Sequence, residues 1–134
     1  MKKPHNPPDL MPPVGPLSWG IETPQAKRLL FVSGQVGADP NGDVPDGLIA
    51  QTKLVWANID AILKSANMTP KNIVRTGLYF TPQVEFTGEL KVEFNKLRAA
   101  FLGDPPPTST LLFVHSLMDP RWLVEIDAIA VETV

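Results

Sequence analysis

The chain contains no cysteine. That absence removes a disulfide framework, a thiolate nucleophile, an iron–sulfur cluster and a cysteine zinc site together. Histidine is scarce: His5 and His115 are the only two, too few for a multi-histidine metal centre. No stretch approaches the roughly 18 uninterrupted apolar residues that a membrane-spanning helix needs. Positive charge is not in excess either. Twelve Lys and Arg against 14 Asp and Glu leave a net charge of -2, which offers no basic face to capture a nucleic-acid backbone. Lys2 and Lys3 lead into PHNPPDLMPPVGP rather than into the apolar run of a signal peptide. The expectation is a cytoplasmic protein with neither a membrane nor a nucleic acid as partner.

What is present points to a single folded domain. Hydrophobic residues make up 43% of the 134 residues and charged residues 19%, a balance unlike that of disordered chains. Six of the 15 prolines fall between Pro4 and Pro16. Proline fixes φ and donates no backbone hydrogen bond, so residues 1–16 are expected to form an extended arm ahead of a domain at 17–134. A second block, Asp104-Pro105-Pro106-Pro107, reads as a rigid connector.

Between these blocks the hydrophobic period alternates. A first strand is expected around Leu17–Thr23, and the apolar run Arg28–Ser33 reads as a second. Asp39-Pro40-Asn41-Gly42-Asp43 is turn chemistry. It is a poor calcium loop, since Val44 and Ala50 stand where glycine and glutamate belong. From Gly47, Leu48, Thr52, Val55, Trp56, Ile59, Ile62 and Leu63 recur at helical spacing. Asp46 is the expected N-cap, and Asn67 and Pro70 the stop. Ile73–Phe80 reads as a strand. Gly88–Leu102 reads as a second helix, with a stripe of Leu90, Phe94, Leu97 and Phe101, a cap at Thr87 and a stop at Gly103. Thr108–Val114 and Leu123–Val131 are the last strands, giving an α+β order ββαβαββ.

Two amphipathic helices can cover only one face of a sheet with about five strands. In the last strand Val124, Ile126, Ala128 and Ala130 point one way, while Leu123, Glu125, Asp127, Ile129 and Val131 point the other. Both faces are largely apolar, so the uncovered one is expected to meet another copy of the chain.

Few residues suggest chemistry. Glu125 and Asp127 stand on one face of an apolar strand, where partial burial tunes a carboxylate to orient water or move a proton. A salt bridge, or a residue reaching solvent at a sheet edge, accounts for the pattern slightly better. Val32-Ser33-Gly34-Gln35 places a hydroxyl at a strand end, beside a glycine that lets a ligand approach the backbone. An ordinary strand-to-turn exit is clearly the better reading of these residues by themselves, and the nucleophile-elbow pattern is incomplete. His115, Ser116 and Asp119 are the residue types of a triad, but they lie too close together in one connection to form it. Trp56 belongs to the helix stripe and reads as core. Trp19 and Trp122 are not interleaved with basic residues, as a nucleic-acid stacking surface would require.

Several segments fit one pattern: Val14-Gly15-Pro16, Phe31-Val32-Ser33-Gly34-Gln35-Val36, Asn58, Ile73-Val74-Arg75-Thr76, Phe94-Asn95-Lys96 and the closing VEIDAIAV of residues 124–131. In this order they resemble the RidA/YjgF family, also labelled endoribonuclease L-PSP or translation-initiation inhibitor, over residues 14–131. The resemblance implies a chorismate-mutase-like fold and a homotrimer, with sheets forming an inner barrel, helices outside and ligand clefts between subunits. It also implies hydrolysis of reactive enamines and imines without a metal or organic cofactor. Carried over by position, it makes Glu125 the water-positioning group and places Leu17, Ser33, Gly34, Asn95, Ser109 and Leu111 around the substrate.

One departure stands out. Deaminating members carry a carboxylate-binding arginine where this chain has Ser109, and a one-residue register change offers only threonine. Losing a charged hydrogen bond weakens binding by roughly ten- to hundredfold. Arg28, Arg75, Arg98 and Arg121 remain as arginines that could reach the cleft from another direction. Arginine restored at 109 is therefore expected to raise activity if that loss is the only change, and to cost stability instead if the guanidinium is buried without partners. Three functions compete: a deaminase-like hydrolase with altered substrate preference, a non-catalytic metabolite- or partner-binding trimer, and, well behind, a ribonuclease.

Overall fold

A computed structural model describes residues 2–134. Six strands, two long helices and one short 3-10 turn follow the order β1 (Lys3–His5), β2 (Gly20–Glu22), β3 (Ala26–Val36), α1 (Leu48–Ser65), the 3-10 turn Pro70–Asn72, β4 (Ile73–Phe80), α2 (Gly88–Leu102), β5 (Thr108–Phe113) and β6 (Val124–Thr133).

The main sheet has four strands in the order β3-β6-β4-β5. β6 lies antiparallel to both β3 and β4, while β4 and β5 are parallel. The expected first strand is shorter than 17–23 and does not join this sheet. It pairs instead with β1 in a separate two-stranded ribbon. Of the described part of the proline-rich arm only Lys3–His5 is strand, with Pro4 inside it, and the Leu10 N–H turns back to the Pro7 carbonyl at 3.2 Å. A short two-strand ribbon can hold a proline that a central strand could not.

α1 and α2 cover one face of the main sheet. Val55, Ile59 and Leu63 of α1, Phe94 and Leu102 of α2, Leu78 and Phe80 of β4 and Ile126 of β6 are fully buried between them. Each such side chain contributes about 1.5–3 kcal/mol by leaving water. Trp56 belongs to this core, stacked on Phe101 with ring centroids 4.7 Å apart. α1 starts one residue later than its expected cap: Gly47 is the N-cap, at φ 90°, and no side chain caps it. That backbone conformation suits glycine and not aspartate. The stops fall as expected, with Asn67 at φ 56° and Gly103 at φ 71°. Thr87 holds the cap position of α2 without a side-chain bond.

The opposite face of the sheet carries Leu29 and Phe31 of β3, 58% and 70% exposed, and Leu112 of β5, 49% exposed. Large apolar side chains on an open face mark a surface built to be covered.

Candidate functional site

β6 places its carboxylates on the uncovered face. Its alternate residues Val124, Ile126, Ala128 and Ala130 are buried beneath the helices, so Glu125 and Asp127 must point the other way. Asp127 is already engaged. It accepts the Tyr79 hydroxyl at 2.8 Å and the Gly77 backbone N–H at 3.1 Å, and it pairs with Arg75 at 3.4 Å. The salt-bridge reading therefore holds for Asp127.

Glu125 has no such partner among the bonds of the described residues. Its carboxylate lies over Gly34, so close that a Cβ on that residue would collide with it. Burial, and secondarily the charge of Asp127, push its carboxyl above the usual glutamate value of 4.5. Ser33 and Gly34 do not end their strand as expected, since β3 runs on to Val36. They sit at a register shift between Val32 and Gln35. The bulge brings Gly34 under Glu125, and such an irregularity is a common way to re-aim a side chain.

The other expected site residues gather elsewhere. Leu17, Asn95, Ser109 and Leu111 line one cavity of about 290 Å³ with Val14, Phe86, Lys91 and Arg98. Ser109 pairs with Thr76 and Leu111 with Leu78 across the parallel ladder, which turns both toward the helix-covered side. Leu17 is held by its neighbour Ser18, whose N–H and hydroxyl donate to the carbonyls of Pro107 and Pro106 at 3.0 and 2.6 Å. The proline connector thus fixes the segment that walls the cavity. On α2, Lys91, Asn95 and Arg98 recur at spacings of four and three and so share one face.

Ser109 and Glu125 do not share a cleft within one chain. Glu125 and Ser109 lie on opposite faces of the sheet, and β4 stands between their strands. One chain carries two half-sites: Ser33, Gly34 and Glu125 on the open face, and Leu17, Asn95, Ser109 and Leu111 at the far edge.

Of the four arginines left to reach this cavity from another direction, Arg28, Arg75, Arg98 and Arg121, the one on its lining is Arg98. It is only 3% exposed, and its Nη2 donates to the Ser109 hydroxyl at 2.6 Å. The position that lacks the expected arginine is therefore touched by an arginine from another element. The signal was available. Phe94, Arg98 and Leu102 are the buried positions of α2, each four residues from the next, and a cation in that series has no ordinary surface role. Burial lowers its pKa to about 10.

His115 is exposed and Asp119 is taken up by Arg121 at 2.8 Å, so the His115, Ser116 and Asp119 group forms no triad. Among the described residues no cluster of three or more His, Asp or Glu is placed to hold a metal ion. No helix there is long and apolar enough to cross a membrane.

Comparison with known proteins decides the family. The family model for endoribonuclease L-PSP matches residues 9–132. A RutC family protein of Pyrococcus horikoshii is 32% identical over 88% of each chain. The chain belongs to the RidA/YjgF family. The 2-iminobutanoate/2-iminopropanoate deaminase of Mus musculus is another relative, 31% identical over 89% of this chain and 83% of its own. A Yersinia pestis protein of unknown function from the conserved Rid family superposes with a TM-score of 0.85, at 30% identity over 98% of both chains. The fold is accordingly the chorismate-mutase-like α+β fold of RidA/YjgF proteins.

Proposed function

We propose that this RidA/YjgF member hydrolyses small reactive imines and enamines at clefts formed between copies of the chain in a homotrimer. The carrying observation is Glu125, a half-buried carboxylate without a partner among the described residues, lying against Gly34 on an uncovered apolar face. The deaminase relative supports the same chemistry. A carboxylate with a raised pKa can take a proton near neutral pH and return it. In the proposed reaction Glu125 draws a proton from water as the oxygen adds to the C=N carbon. It then passes that proton to the nitrogen, which completes the carbinolamine. Taking up the carbinolamine's hydroxyl proton and delivering it to the nitrogen as the C–N bond breaks, Glu125 releases a carbonyl compound and ammonia and is regenerated as the carboxylate.

Assembly follows from the two half-sites. Glu125 and the Asn95–Ser109 cavity cannot meet within one chain, so the cleft forms where the open face of one copy approaches the far edge of another. Covering Leu29, Phe31 and Leu112 supplies the apolar area for that contact. Sedimentation of the purified protein should give a trimer, and a monomer or dimer would defeat this assembly.

Glu125→Gln tests the chemistry. Ammonia release from imines generated in situ should fall by about 10²–10⁴-fold, the usual worth of a positioned acid–base group, with the trimer intact. Native activity should rise with pH through a midpoint above 4.5, as Glu125 ionises. The stability sign is the reverse. Folding favours protonated Glu125, so native stability falls as pH rises through the raised pKa, and the glutamine variant should lack that fall. Undiminished turnover in Glu125→Gln would remove this residue from the reaction.

A further inference from the structure

Arg98 presents an unsolved electrostatic problem. The residue is 3% exposed, yet its guanidinium donates to a neutral hydroxyl, that of Ser109. The buried Nε–H has no acceptor. No carboxylate pairs with it among the ion pairs of the described residues, whereas Arg28, Arg75 and Arg121 each pair with one. A buried charge is ordinarily paired, because the interior replaces neither its hydration nor its counter-charge. Beside it the Asn95 Oδ1 is also buried without a partner. Both groups line the same open cavity.

We propose that Arg98, delivered by α2 and braced by Ser109, is the anion-recognising group of this cavity, and that its ligand is the carboxylate of a small aliphatic acid. The ligand supplies the counter-charge that the fold leaves out. A guanidinium donates through five N–H groups in a planar fork, and a carboxylate matches that fork in two parallel bonds. Asn95, one helical turn away on the same face, offers an acceptor to a donor on the ligand. The remaining wall is apolar: Val14, Leu17, Phe86 and Leu111. Its volume of about 290 Å³ lies at the small end of ligand pockets. One deep cation, with Lys91 as the only other on the lining, suits a monoanion with a short hydrocarbon tail. Phosphate esters, with more charge and no apolar body, suit it less.

This assignment deepens the proposed hydrolase reading, because it names what the substrate carries, but binding can be measured without turnover. The probe is 2-oxobutanoate, the kind of keto acid the proposed reaction releases, with the neutral 2-oxobutanamide as its counterpart. Titrations on the full-length protein, followed by calorimetry or ligand-observed NMR, compare native with Arg98→Met and Arg98→Lys. The native protein should prefer the carboxylate to the amide. Arg98→Met should weaken carboxylate binding by about ten- to hundredfold and leave the amide unchanged, erasing the preference. Arg98→Lys should retain part of it, since the charge remains and the fork is lost.

Thermal unfolding supplies an independent readout. An unpaired buried cation exchanged for an apolar side chain of similar length is neutral or stabilising, so Arg98→Met should unfold no lower than native and should lose the stabilisation that the keto acid gives. Equal carboxylate affinity in native and Arg98→Met overturns the assignment. So does a methionine variant that unfolds well below native while Arg98→Lys binds carboxylate and amide alike, which marks Arg98 as a structural brace for Ser109. Arg98-dependent carboxylate binding in a protein without imine turnover would defeat the hydrolase reading and leave this one standing. Turnover whose KM ignores Arg98 would do the opposite.

Discussion

Glu125 and Arg98 carry opposite charges on opposite faces of one sheet, and burial acts on both in the same sense, toward the neutral form. The fold accommodates them differently. Glu125 rests over a glycine at a strand irregularity, on a face still open to whatever covers it. Arg98 occupies a full core position of α2, between Phe94 and Leu102. The strand charge is reached by ligand or water from outside the sheet. The helix charge is reached only through the cavity at its end. In the proposed function a proton-transfer group stands where copies meet and an anion-recognising group stands deep in a preformed pocket, which would separate chemistry from recognition within each chain. The proposed assembly is then what would join them.

The variant with the largest expected effect breaks the recognition half. Ser109→Arg, read from sequence alone, should restore a missing anchor. The sequence also left open a loss of stability, and the structure favours that outcome. Ser109 lies 2.6 Å from the Arg98 guanidinium, so the new side chain would bring a second cation against the first among apolar walls. An uncompensated buried charge costs about 3 kcal/mol or more. Ser109→Arg should therefore unfold at clearly lower temperature and should not gain ammonia release. The double variant Ser109→Arg with Arg98→Met should recover most of the loss, because one cation then remains. A stable and more active single variant would mean that Arg98 does not occupy this position in solution.

Gly34→Ala sharpens the catalytic half. Its Cβ would strike the Glu125 carboxylate, the far end of a flexible side chain, so the carboxylate moves aside rather than the backbone. Stability should change little while imine hydrolysis falls roughly ten- to hundredfold, as expected when a positioned group shifts by about an ångström. Glu125→Gln in the Gly34→Ala background should then cost less than it does alone. Loss of fold with retained activity in the remaining native fraction would show that this glycine serves packing and not the position of Glu125.

How much of this was legible depended on the element that carried each residue. β6 announces its two faces through strict alternation, so Glu125 stood out and the uncovered sheet face followed from counting helices. Helices α1 and α2 were legible because Ile59, Leu63 and Phe94 recur at helical spacing. The β1–β2 ribbon was not, since a proline-rich segment gives no alternation to read and its partner is distant in the chain, His5 pairing with Gly20 and Lys3 with Glu22. The two half-sites were hidden for a different reason. A list of site residues carries no sheet order, and only the order β3-β6-β4-β5 separates Ser33 and Gly34 from Ser109. Which arginine reaches the cavity was masked, because a hydrophobic stripe is traced through apolar letters and the buried Arg98 interrupts it.

The smallest expected effect tests whether Asp127, the neighbour of Glu125, is structural. Tyr79→Phe removes the 2.8 Å bond from the tyrosine hydroxyl to Asp127, while the Gly77 N–H and Arg75 continue to hold the carboxylate. The loss should be about 1 kcal/mol near neutral pH, the net worth of one intramolecular hydrogen bond. The pH dependence fixes its origin. The bond to Asp127, with burial second, raises the Tyr79 pKa above its ordinary 10. A group whose folded pKa is raised contributes stability that is complete below the unfolded value and is lost as pH rises through the folded one. Native protein should therefore lose its advantage over Tyr79→Phe only at strongly alkaline pH, where the phenol ionises beside Asp127. Imine hydrolysis should stay within a few-fold of native, since the hydroxyl bonds Asp127 and not Glu125. A large drop in turnover at unchanged stability would bring Tyr79 and Asp127 into the reaction, and the comparison would then set a carboxylate pair, rather than Glu125 alone, against Arg98.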